Sequence, residues 1–285
     1  MRAVQLPATL ETPDGVTLHV HHWPVAQAKG IVQMAHGLLE HLGRYDELAR
    51  QCNEAGWAVA GIDHRGHGRS TGPRGSIREA EDLMRDQAQL HDQLSQRYRR
   101  LPHVMLGASM GGVVTARMAA ELTQAKGASQ WTRPLDGIIL MAPALEPTLS
   151  APQRAALSVL TRMVPDLPIP VAHRPDWITT DPAVVAEIQA DPLMHYTITP
   201  RITQFMSAAA RTVFERAPQW QTPTLLLYSE IDQLVSAQAC RRLAQAVPQP
   251  LMQAHAYSDL AHDLVHEPGK DRVFTAIRDW LSQRQ

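Results

Sequence analysis

Short apolar runs alternate with amphipathic stretches along most of the chain. Val16–His22 alternates apolar and polar positions, as a half-buried strand does. Ile31–Ala35, Trp57–Ile62, Val104–Leu106, Ile138–Met141, Thr224–Tyr228 and Leu251–Tyr257 are continuous apolar runs of strand length. Stretches with helical periodicity separate them: Arg44–Asn53, Glu79–Arg99, Val113–Leu122, a helix capped by Ser236 through Ala246, and Lys270–Ser282. Apolar strands spaced by helices predict an α/β fold, a mostly parallel sheet with helices on both faces.

The rhythm breaks between Pro143 and Pro223, where no strand pattern is evident. Asp181-Pro182 and Thr199-Pro200 each place a capping side chain before a proline at the first helical position. Ala156, Leu157, Leu160, Met163 and Val164 share one helical stripe, and Ile202, Phe205, Met206, Ala209 and Val213 share another. The expected organisation is a core of residues 1–142 and 223–285 with a helical lid, 143–222, inserted between two strands.

Composition narrows the function classes. The 285 residues are 44% hydrophobic and 19% charged with a net charge of −1, which excludes a disordered chain and a general basic footprint for nucleic acid. Two cysteines, Cys52 and Cys240, make no disulfide framework and suggest a reducing, cytoplasmic setting. Met1–Pro7 lacks the apolar run of a signal peptide, and no stretch reaches membrane-spanning length. Without a basic amphipathic helix, at most weak contact with a membrane surface is expected.

The chemistry begins at Gly107-Ala108-Ser109-Met110-Gly111, a G-x-S-x-G set between an apolar strand and a helix. A sharp strand-to-helix turn would lift the Ser109 hydroxyl to a helix N-terminus, where developing negative charge is favoured. A serine hydroxyl needs a base oriented by an acid, and in this arrangement the chain order is Ser, acid, His. Asp232 follows one strand and His262 the next, so Ser109, Asp232 and His262 are the candidate catalytic residues. Glu230 rivals Asp232 but lies on another side of the turn. Asp259 and Asp263 flank His262 and rank lower, having to fold back over one or three residues. His266 follows His262 by four, a metal spacing without a third ligand nearby, and is expected to face solvent or cap a turn. The second donor for an oxyanion, beside the Met110 N–H, is expected from the loop His36–His41, at the Leu38 N–H. The histidines His36, His41, His64 and His67 sit in glycine-rich loops and are read as buried hydrogen-bonding groups. No cofactor or metal is expected.

On these residues the chain resembles the monoglyceride lipase and lysophospholipase branch of the α/β-hydrolases, sometimes grouped with serine aminopeptidases. His36–His41 with Gly43-Arg44-Tyr45, Asp63–Ser70, Gly107–Gly112, Asp191-Pro192-Leu193 and Ala261-His262 carry the likeness. The resemblance implies the Ser109–Asp232–His262 triad and a helical lid over an apolar acyl channel. Leu39 departs from it, because glycine is frequent there, and is expected to narrow the oxyanion entrance. Leu39, Leu160, Met163, Ile202, Phe205 and Met206 are the candidate substrate-binding residues. The expected partner is a small lipid or ester. An amidase with Glu187, Asp191 or Glu215 as an amine anchor, and a non-catalytic binding protein, are the alternative functions.

Overall fold

The structure is a computed structural model describing residues 6–124, 127–146, 151–172 and 174–284. Most of the N-terminal reading, Met1–Gln5, lies outside the described residues, as do positions 147–150 and 173 of the expected lid.

In chain order the elements are β1 (Thr9–Glu11), β2 (Thr17–Trp23), β3 (Gly30–Ala35), α1 (Asp46–Glu54), β4 (Trp57–Ile62), α2 (Asp82–Arg97), β5 (His103–Ala108), α3 (Met110–Glu121) and β6 (Gly137–Met141). Then come α4 (Ala151–Met163), β7 (Ile169–Pro170), α5 (Pro175–Ile178), α6 (Pro182–Ala190), β8 (Thr197–Ile198), α7 (Pro200–Arg216), β9 (Thr224–Ser229), α8 (Ala237–Ala246), β10 (Met252–Tyr257) and α9 (Asp271–Ser282). Eight strands form one sheet in the order β1-β2-β4-β3-β5-β6-β9-β10. Only the β1–β2 and β2–β4 pairs are antiparallel; the rest of the sheet is parallel.

The continuous apolar runs have a plain cause. Every residue of β3, β4, β5, β6 and β9 is buried, so neither strand face needs polar side chains. Successive residues feed opposite faces. Met105, Ile138, Leu140 and Leu226 pack with α2, α3, α7 and α8. Val104, Leu106, Ile139 and Leu227 pack with α1 and α9. The helix caps read from sequence form: Ser236, Asp181 and Thr199 accept from the N–H groups of Ala239, Ala183 and Ile202.

The edge strand β1 was absent from the sequence reading, because three residues are too few to show a period. The β6–β9 connection is helical, but it also holds a small antiparallel ladder, β7 with β8, where no strand was expected. Among the described residues, no helix is long and apolar enough to cross a membrane.

Candidate active site

Ser109 ends β5 and caps α3 with φ 50° and ψ −113°, a left-handed conformation that side chains resist. The turn is tight because two glycines let backbones touch. A Cβ added to Gly107 would lie 2.2 Å from the Gly111 carbonyl oxygen, and one added to Gly111 would lie 2.0 Å from that of Ala35. The Ser109 N–H donates to Met141 O (2.9 Å), and its carbonyl accepts from Ala144 N–H (3.0 Å). The elbow is thereby fixed to β6 as well as to β3.

Among the described residues, the non-glycine residues with positive φ are Leu39, Arg100, Ser109 and Ala142. Three of them, Leu39, Ser109 and Ala142, line one cavity of about 260 Å³. Such conformations cost on the order of 1–3 kcal/mol each and collect where function holds them.

His262 lines the same cavity. Its Nδ1 donates to Asp232 Oδ2 at 2.7 Å, and the two side chains are 10% and 1% exposed. The other Asp232 oxygen accepts from the N–H groups of Leu234 (2.8 Å) and Val235 (3.0 Å). Burial pushes the Asp232 carboxyl up, but the His262 charge and these hydrogen bonds outweigh it and hold it below the usual range. For His262 burial works downward. The Asp232 charge and hydrogen bond, with Asp263 and Glu40 behind them, outweigh it and raise the imidazole. Because Nδ1 is committed to Asp232, Nε2 is the atom left to exchange a proton. Among the described residues no hydrogen bond joins the Ser109 hydroxyl to this ring, although both groups line the cavity. Such contacts commonly tighten only when substrate binds.

Glu40 sets the loop opposite Ser109. Its Oε1 accepts from Gly37 N–H (2.6 Å) and Tyr45 O–H (2.7 Å), and its other oxygen pairs with Arg44. A Cβ on Gly37 would lie 3.2 Å from Ser109 Cβ, so this loop rests directly on the serine. Leu38 N–H follows on this loop and makes no hydrogen bond among the described residues. Met110 N–H, at the first helical position, has no partner within its helix.

Arg44 also donates to Asp263 Oδ2 (2.6 Å). Of the two expectations for His266, solvent or a cap, open solvent is not met: its side chain is 15% exposed. Its Nδ1 donates to Asp263 Oδ1 (2.8 Å) and its Nε2 to Arg44 O (2.7 Å). Both ring nitrogens face acceptors, which requires the charged ring. Burial opposes that charge, but Asp263 overcomes it and raises the imidazole. Glu40, Arg44, Tyr45 and Asp263 all line the cavity and were absent from the candidate list. The first three lay within the His36–Tyr45 motif, and Asp263 beside His262.

The substrate-binding candidates divide. Leu39 and Met206 line the cavity. Ile202 and Phe205 do not; they are buried in the core against the α3 side of the sheet. Leu160 and Met163 do not either, for α4 turns much of its apolar stripe outward and leaves Met163 75% exposed. Met141, Met194, Tyr196, Leu234 and Val235 take their place as lining residues. None of the proposed amine anchors reaches the cavity: Glu187 and Glu215 are exposed, and Asp191 is engaged by His41 Nε2 at 2.7 Å.

The clustered histidines bond to loop backbone. His36 Nδ1 donates to Gly37 O (2.7 Å) while its Nε2 accepts from His64 N–H (2.8 Å). His67 Nδ1 donates to Arg65 O (2.9 Å). Among the described residues, no group of three or more His, Cys, Asp or Glu is disposed to hold a metal ion.

The family model for serine aminopeptidase, S33, matches residues 26–269. The chain is 30% identical over 290 residues to human monoglyceride lipase, covering 96% of this chain and 90% of that one. It is 28% identical over 271 residues to monoacylglycerol lipase of Mycolicibacterium smegmatis, covering 94% and 93%. The crystal structure of Paleococcus ferrophilus monoacylglycerol lipase superposes with a TM-score of 0.80 at 25% identity, over 94% of this chain and 99% of that one. A soluble variant of the Saccharomyces cerevisiae monoglyceride lipase, at 19% identity, shares the fold with a TM-score of 0.85 over 99% and 97%. The chain belongs to the serine aminopeptidase S33 family and is an α/β-hydrolase related to the monoacylglycerol lipases.

Proposed function

We propose that the protein is a serine carboxylic-ester hydrolase acting on monoacyl esters, with Ser109 as nucleophile, His262 as base and Asp232 as its orienting acid. The carrying observation is the strained Ser109 elbow on the same cavity as the Asp232–His262 pair. Ser109 Oγ attacks the ester carbonyl carbon as His262 Nε2 takes its proton. The tetrahedral oxyanion is held by the N–H groups of Leu38 and Met110. Collapse breaks the bond to the alcohol, which leaves with the proton from His262. Water then attacks the acyl-serine by the same route and releases the acid.

The cavity, about 260 Å³ with largely apolar walls, lies just under the ~300–1,000 Å³ usual for ligand sites. That size suits a medium acyl chain. Each buried methylene contributes ~0.8 kcal/mol. Octanoate esters are therefore expected to exceed acetates in kcat/KM, and Ser109→Ala to lower hydrolysis ~10⁴–10⁶-fold. A nitrophenyl ester panel, run beside fluorophosphonate labelling of Ser109, tests both. Best turnover on acetate with a steady fall along the series would remove the acyl-chain reading. Unlabelled Ser109 would favour a binding protein.

Residues 143–222 act in this reading as a cap on the core. Hydrogen bonds tie the two together: Asp191 to His41, Thr199 to Gly75 O, and Thr180 to Glu267. The outward apolar stripe of α4 supplies weak contact with a lipid surface. Cys52 and Cys240 are buried free thiols, consistent with the reducing cytoplasm.

A further inference from the structure

We propose that Leu39 is a specificity-determining residue. Its side chain narrows the seam between the oxyanion loop and the β6–β9 connection, and so limits the bulk of the ester that reaches Ser109. The inference rests on the ester-hydrolase reading above.

Leu39 holds φ at 74°, a conformation in which glycine is at ease and a branched side chain is not. Leucine in such a place must be held by its surroundings. The core does not hold it. Leu38 packs against the apolar cluster under α3, whereas Leu39, half-buried, belongs to none of the three apolar clusters of the described residues. What surrounds Leu39 is the seam. Its carbonyl accepts from His195 N–H (3.1 Å). Met194 and Tyr196, on either side of that histidine, line the cavity with Leu39. One turn of chain away, His41 bonds to Asp191 and holds the same stretch down. The loop backbone is clamped from above by His195 and from below by Glu40 on Gly37. The leucine side chain is thus displayed on the cavity wall by a backbone that cannot relax. Its apolar surface acts on whatever enters.

Two substitutions separate bulk from backbone strain. Leu39→Ala removes the bulk and keeps a Cβ at positive φ. Leu39→Gly removes both. Kinetics of wild type and both variants on nitrophenyl acetate, octanoate and the branched trimethylacetate read the bulk. The kcat/KM ratio of trimethylacetate to acetate is expected to rise about tenfold in both variants. Leu39→Gly is expected to melt ~2–4 °C above Leu39→Ala, because only glycine relieves the strain. Fluorophosphonate labelling of Ser109 confirms that each variant keeps a formed site. A ratio within twofold of wild type in both labelled variants overturns the assignment. So does an alanine variant that melts as high as the glycine one. Wild type that hydrolyses none of the esters overturns the ester-hydrolase reading itself, an outcome distinct from either.

Discussion

Two sets of buried and half-buried histidines in this molecule are driven in opposite directions. His262 and His266 each meet a carboxylate, Asp232 and Asp263, and are raised. His36, His64, His67 and His195 crowd one another as tilted rings, with centroids 4.3 Å apart for His36–His64 and 4.6 Å for His67–His195. They bond to backbone or to nothing, and all four are lowered. Burial leads each of these shifts, with neighbouring imidazoles adding to it at His36 and His67; His64 and His195 fall to about 4. Burial is common to both sets, so the partner decides the sign. The paired rings favour the charged form, while the crowded rings favour the neutral one.

Taking the carboxylate from His262 would break the contrast most. Asp232→Asn should leave the ring in place but lower kcat about 10⁴-fold. It should also move the acid limb of the pH profile down, since a raised imidazole loses its main support. A kcat within tenfold of wild type would show that Asp232 does not orient this base.

Acid should act next, on the crowded set. Their folded pKa values lie below the unfolded 6.5. The stability they contribute is therefore complete above pH 6.5 and is lost as pH falls toward about 4. For the fully buried His64 the loss is on the order of 3 kcal/mol. Asp63 pulls against the fall at His36 and His64, and Arg74 pushes with it at His67 and His195. Thermal melts from pH 7 to 4 should show a steep drop in Tm, whereas a flat profile would mean that these rings already exchange protons freely.

The smallest effect should come from His195→Gln, which removes one titrating ring at the edge of the group. Its Tm should decline less between pH 6.5 and 4 than that of wild type. An equal decline would place the sensitivity elsewhere.

Much of the fold was legible because central strands buried on both faces read as unbroken apolar runs. The Ser109 turn was legible because strand, glycines and helix are contiguous in sequence. The Glu40–Arg44–Asp263–His266 network was not. It joins residues 219 apart, from Arg44 to Asp263, and no local pattern records that approach. That Leu160, Met163, Ile202 and Phe205 lie away from the cavity has another cause. Periodicity shows which residues share a helix face, not what that face meets. The α7 stripe, with Ile202 and Phe205, meets the core, and much of the α4 stripe meets water. Only Met206, at the rim of its stripe, reaches the cavity.

The contact between Gly111 and the Ala35 carbonyl carries a last consequence. Beneath Ser109 the turn is main chain pressed on main chain, with no room for a methyl group at Gly107 or Gly111. Variation has almost nothing to act on there. Side chains that can change one at a time stand instead on the cavity wall, at Leu39, Met194, Tyr196 and Met206.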